Sequence, residues 1–270
     1  MSAAAIAIAT SVELVLIGGG LVAIWQLALS PAARAARHAP RVAEWPLPLV
    51  EFLHYLLLII CATLVGNLAG TVALKFRPVG PDAKAMVITA LSHLGMLAGI
   101  AAFKMAVERV PLRTAAVRLT DFSAGAITFL AILPIVTGAN LLWRGLLQAC
   151  GLPLEKQELV GMFVNARSPL LLALMIGLAT LTAPAAEELV FRAGFFRFLR
   201  TRLPRWAALV APACLFAALH QNLASFAPLV VLGVLFSLAY ERTGRIATTI
   251  VAHGLFNRHT VVLLMVGVGV

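Results

Sequence analysis

The run Glu187-Glu188-Leu189-Val190-Phe191-Arg192 sets three formal charges inside an otherwise apolar stretch. Two histidines with apolar neighbours follow it, His220 and His253, the second four residues before Asn257. A charged side chain at bilayer depth costs about 2.5–3.5 kcal/mol even on lenient insertion scales, so these groups need a reason. Glu188 and Arg192 stand four apart on one helix, carboxylate on the N-terminal side, and can meet as an ion pair. Glu187 is rotated by about 100° from that face and is the carboxylate left free for chemistry. Phe216 and His220, then His253 and Asn257, repeat the four-residue spacing on two further segments, and Gly254 leaves room for a close neighbour.

Such a set suits hydrolysis. A carboxylate and an imidazole can hold one water and take its proton as it attacks a carbonyl carbon. A second imidazole and an amide N–H can stabilise the developing oxyanion, a contribution of about 2.7–4 kcal/mol per donor. No serine or cysteine is suitably spaced from either histidine, which favours direct attack by water over a covalent intermediate. Two histidines and a glutamate (His220, His253, Glu187) are also zinc ligands in type, although HExxH is absent, so the sequence admits both a zinc-dependent and a metal-free route. Either histidine alone reads as a core residue; their occurrence together with Glu187 and Asn257 turns the reading toward function. His54 and His93 lack comparable partners and read as core or pore-lining residues.

The elements that must carry these groups are helices in lipid. Of 270 residues, 61% are apolar and 12% are charged, too little charge to cover a soluble protein of this size. Continuous rather than alternating apolar runs, and the exclusion of open sheet edges from lipid, make the class all-α. Eight spans are expected, at about 5–29, 47–74, 84–106, 122–147, 168–198, 206–223, 225–241 and 246–268, in one polytopic bundle. The first lacks a basic leader and a small-residue cleavage pattern, and reads as a retained helix rather than a signal peptide. Glu13 and three consecutive glycines in it favour packing against other helices. The fifth span would be about 46 Å long, beyond the hydrocarbon core, and Pro184 is expected to kink it just before Glu187. Counted along the helices, Glu188 lies about 13 Å from Arg197, His253 about 12 Å from Arg245, and His220 about 22 Å from Arg205, which leaves His220 deeper than the others.

The net charge of +10 does not indicate nucleic acid, because the basic residues lie between apolar runs rather than on one polar face. Thirteen fall in odd-numbered loops (Arg34, Arg37, Arg41, Lys104, Arg109, Arg113, Arg118, Arg197, Arg200, Arg202, Arg205, Arg242, Arg245). Six fall in even-numbered ones (Lys75, Arg77, Lys84, Arg144, Lys156, Arg167), an excess that puts the odd loops in the cytoplasm. Lys104–Asp121 suits a short helix in the headgroup plane, and the loop Gly151–Arg167 is placed to cover the entrance to the site. Cys61, Cys150 and Cys214 are scattered and read as small buried residues. Residues 1–167 are expected to form a four-helix membrane region and 168–270 the catalytic core.

The order E-E-x-x-x-R, F-x-x-x-H, H-x-x-x-N, with Tyr240-Glu241-Arg242-Thr243-Gly244-Arg245 before the last motif, resembles the CPBP family of intramembrane proteases over about residues 168–268. That family groups CAAX-type prenyl-protein endopeptidases with bacteriocin-processing and immunity proteins. The resemblance implies that Glu187 and His220 activate water, that His253 and Asn257 form the oxyanion site, and that Glu188 and Arg192 support them. It further implies a membrane-associated protein or peptide substrate, prenylated or not, and a multi-pass protein of a bacterial inner membrane. The oligomeric state is open. Two other classes fit the same residues: a non-enzymatic immunity or scaffold protein, and an ion-coupled transporter using the buried carboxylates.

Overall fold

Long apolar runs become helices here because each helix satisfies its own backbone groups and leaves only side chains for lipid or packing. The computed structural model describes residues 3–36, 40–108, 117–155, 161–163 and 168–267, and among these it has helices and no strands. In chain order they are α1 (Ala3–Ile24, continued by a π-helical Trp25–Leu29), α2 (Leu49–Leu74), α3 (Pro81–Ala106), α4 (Leu119–Ala149), α5 (Pro169–Leu199), α6 (Arg205–Leu219), α7 (Leu223–Thr243) and α8 (Ile246–Val266). Among the described residues, seven helices are long and apolar enough to cross a membrane; α6 is not. Leu14, Val15, Leu57, Leu64 and Val65 on α1 and α2 are exposed. An apolar exterior of this kind suits acyl chains and would aggregate in water.

The expected span 206–223 is thus corrected to a 15-residue helix that stops at Leu219. Gln221 takes a left-handed φ of 50°, and Asn222 caps α7 by accepting from the Ser225 N–H at 2.9 Å. His220 therefore sits on the turn rather than within a span. The kink expected at Pro184 takes another form: π-helical turns flank it, at Leu178–Thr182 and Leu189–Phe196. Proline has no N–H to return to the carbonyl four residues earlier, and the wider turn absorbs the mismatch.

Helix α5 is central, with α3, α6, α7 and α8 all packed on it, while α1 lies on α4 and α8. Glu13 of α1 meets His259 of α8 at 2.6 Å, a polar tie for that packing. The α2–α3 pair is close because a Cβ on Gly66 or Gly95 would run into the other helix's backbone at Leu91 or Ala62. Aromatic rings fill the space between this pair and α5, with Phe52 stacked on Phe198 at 3.7 Å and Tyr55 edge-on to Phe103 at 5.2 Å.

The arginines closing α5 do more than face headgroups. Arg197 Nε donates to the Ala43 carbonyl at 3.0 Å, Arg200 Nη1 to that of Val42 at 3.0 Å, and Arg202 to that of Leu47. The segment before α2 is strapped across this end of the bundle. Glu241, buried at the end of α7, accepts from Arg200 at 3.2 Å and Arg205 at 2.6 Å, and its carbonyl takes the Arg41 N–H. A second ion pair, Asp121 with Arg245, ties the start of α4 to the α7–α8 turn. Of the interfacial helix expected at Lys104–Asp121, residues 109–116 lie outside the described residues, as do 156–160 and 164–167 of the loop expected over the site. What is described of that loop reaches the turn carrying His220: the Glu155 carbonyl accepts from Asn222 Nδ2 at 3.1 Å.

Candidate functional site

Four of the six residues singled out form one directly linked group. Arg192 Nη1 donates to Glu188 Oε1 at 2.8 Å, with both side chains buried to within 1%. The same oxygen faces His253 Nδ1 at 2.9 Å, and His253 Nε2 stands 3.6 Å from Glu187 Oε2. A carboxylate paired with a guanidinium can only accept, so Nδ1 carries a proton and Nε2 is the atom turned toward Glu187. Glu188 Oε2 is buried without a partner. Glu187 keeps 21% of its side chain accessible, which separates the two neighbouring carboxylates. One belongs to the packing, the other to a hollow.

Aromatic rings hold the group in place. The Arg192 guanidinium lies 4.8 Å from the Phe216 ring and 5.2 Å from that of Phe236. Attraction to two ring faces lowers the cost of a cation removed from water. Phe236 also stacks on His253 at 4.9 Å, and Phe216 stands edge-on to His220 at 4.7 Å. Phe216 touches both histidines and the arginine. Arg192 Nη2 donates to the Gly233 carbonyl at 3.4 Å.

His220 reaches the site through a cavity of about 280 Å³ that it lines with Glu187, Phe191, Phe216 and Leu219. The depth counted along straight helices does not keep the two apart: α6 ends at Leu219, and His220 on the turn lines the same cavity as Glu187. His220 Nδ1 is 2.8 Å from the Phe216 carbonyl. A carbonyl only accepts, so Nδ1 donates and the lone pair of the neutral ring is on Nε2.

Asn257 is set differently. It projects one turn along α8 from His253, but its Nδ2 donates to the Ala179 carbonyl at 2.8 Å, in the first π-helical turn of α5. Neither Asn257 nor His253 lines the cavity. Helix α8 comes this close to α5 because residue 254 is glycine: a Cβ there would lie 2.5 Å from the Thr180 oxygen. The second π-helical stretch is held in a like manner, Tyr55 Oη donating to the Leu189 carbonyl at 3.2 Å. The irregular turns around the carboxylates thus have their carbonyls taken by side chains, as buried backbone groups require.

Sequence reasoning missed Phe236, Gly233 and Tyr55, which carry no charge pattern and act through contacts between distant segments. It also set aside two histidines. His54 is exposed on α2 and is not a core residue, whereas His93 of α3 lines the cavity with Met96, Glu187 and His220. As for zinc, no group of three or more histidine, cysteine or acidic side chains among the described residues is arranged to hold a metal ion. His220, His253 and Glu187 do not form the three-ligand set such an ion needs.

The comparisons with curated proteins and with solved structures return no match. The comparison with families returns one, over residues 169–258, which take in α5, α6, α7 and α8 as far as Arg258. Together with the long apolar helices, it supports a multi-pass integral membrane protein. The segment that carries Glu187, Glu188, Arg192, His220, His253 and Asn257 is similar to the type II CAAX prenyl endopeptidases of the Rce1-like family.

Proposed function

We propose that the chain is an intramembrane endopeptidase that hydrolyses a peptide bond of a membrane-associated protein or peptide, in a cell membrane with the odd-numbered loops in the cytoplasm. The observation that carries the reading is the pairing of an accessible carboxylate and an imidazole, Glu187 and His220, on one cavity. A water held between Glu187 and the free Nε2 of His220 loses a proton as it attacks the scissile carbonyl, and that proton passes to the leaving amine. His253, fixed through Nδ1 by Glu188, offers Nε2 to the tetrahedral oxyanion as an imidazolium. Asn257, one turn along α8 from His253, keeps a second amide N–H beyond the one given to Ala179, and we assign it to the same oxygen. Because the donors do not gather around one point, no step is routed through a metal ion.

The test is comparative peptidomics of membranes that contain wild-type protein or Glu187→Gln. Peptides present only with the wild type are the expected result. Identical peptide populations, with both proteins at equal abundance, would overturn the assignment and favour a non-enzymatic membrane scaffold.

A further inference from the structure

His93 stands apart from the other residues of the site because it comes from α3, outside the 169–258 segment. Its ring lines the same cavity as Glu187 and His220. Its Nδ1 is buried and has no hydrogen-bond partner among the described residues. A sealed N–H without an acceptor is among the rarest arrangements in proteins, and a sealed lone pair is more easily tolerated. The ring therefore carries its proton on Nε2, and that N–H is the polar atom it has for the cavity.

The rest of the wall explains what such a donor would meet. Met96, Phe191, Phe216 and Leu219 are apolar, and Glu187 and His220 turn acceptors inward. A peptide entering this space brings backbone carbonyls that must keep hydrogen-bond partners once water is left behind. A cavity of about 280 Å³ takes a short stretch of backbone as well as a water, which occupies about 30 Å³. We infer that His93 is a substrate-binding residue: its Nε2–H donates to a backbone carbonyl of the bound peptide and holds the scissile bond against Glu187 and His220. This rests on the endopeptidase reading above. It makes the N-terminal helices part of the site rather than a separate anchor.

The experiment uses the full-length protein in membranes and a synthetic peptide spanning a cleavage site found by the wild-type and Glu187→Gln comparison. His93→Leu is expected to lower kcat/KM about tenfold, the size of one hydrogen bond, chiefly through KM. His93→Gln, whose amide N–H falls near the position of Nε2, recovers most of the loss, and His93→Asn does not. Thermal stability separates binding from structure, since His93 bonds to nothing in the fold: His93→Leu melts at or above the wild-type temperature. Wild-type kcat/KM in His93→Leu, equal losses in His93→Leu and His93→Gln, or a lower melting temperature in His93→Leu would each overturn the inference. If wild type and Glu187→Gln yield the same peptides, the endopeptidase reading itself fails, and this one falls with it. Activity in wild type with no effect at His93 removes the inference alone.

Discussion

One oxygen of Glu188 accepts from both Arg192 and His253, so this carboxylate sets the position of the His253 imidazole and the cost of the buried guanidinium together. Breaking a buried pair by removing one partner costs about 3–5 kcal/mol, because the other charge stays buried. Arg192→Ala is therefore expected to reduce the amount of folded protein in membranes severely, as read by immunoblot and detergent-resistant melting. Arg192→Lys should recover part of it, since an ammonium keeps the charge but not the planar fork between two rings. Glu187 should behave in the opposite way. It is partly accessible, and the buried guanidinium of Arg192 is paired with Glu188 rather than with it. Glu187→Gln is expected to accumulate normally yet lose cleavage by about 10²-fold or more, the range of a general base. Equal abundance of Arg192→Ala and wild type, or full cleavage by Glu187→Gln, would contradict this division between the neighbouring carboxylates.

Helix α5 and helix α8 meet through two features of ordinary appearance, a glycine and a π-helical turn. Gly254 lets α8 approach the Thr180 carbonyl, and Asn257 takes the Ala179 carbonyl beside it. Gly254→Ala should push the helices apart and draw His253 away from Glu188, with loss of both activity and melting temperature. Asn257→Ala leaves a carbonyl without its donor, a cost of about 1–3 kcal/mol. Its stability is expected to fall modestly while cleavage falls further. A Gly254→Ala protein that melts and cleaves like the wild type would show that the close approach is dispensable. The contact order along α5 was only partly legible: Pro184 announced an irregularity before Glu187, but not that it would be spread over two π-helical stretches. That outcome depends on Tyr55 and Asn257 arriving from other helices to take the carbonyls.

At the scale of the whole molecule, the strap before α2 and the buried Glu241 close one end of the bundle. Glu241→Ala would leave Arg200 and Arg205 without their carboxylate and free the strap from the end of α5. The expected outcome is faster limited proteolysis within residues 40–48 at unchanged helix content, and an unchanged cleavage rate there would contradict it. The arginines here follow from the loop-charge pattern, yet their carbonyl partners at Val42, Ala43 and Leu47 do not. Pro40, Pro46 and Pro48 in that stretch mark a connection and say nothing of where it lies.

The sequence by itself determined the helical class, the approximate spans and the four-residue pairs, because hydropathy and helical spacing act between neighbours along the chain. It also determined that Glu188 would meet Arg192, since an i, i+4 pair needs no other helix. Only the tertiary structure decided that α6 ends before His220, that His253 lies between the two carboxylates, and that His93 shares a cavity with Glu187 and His220. Those outcomes depend on how far α3, α6 and α8 stand from α5. Glycines, ring stacking and the taking up of backbone carbonyls set those distances, and none of these leaves a period or a charge pattern in the chain.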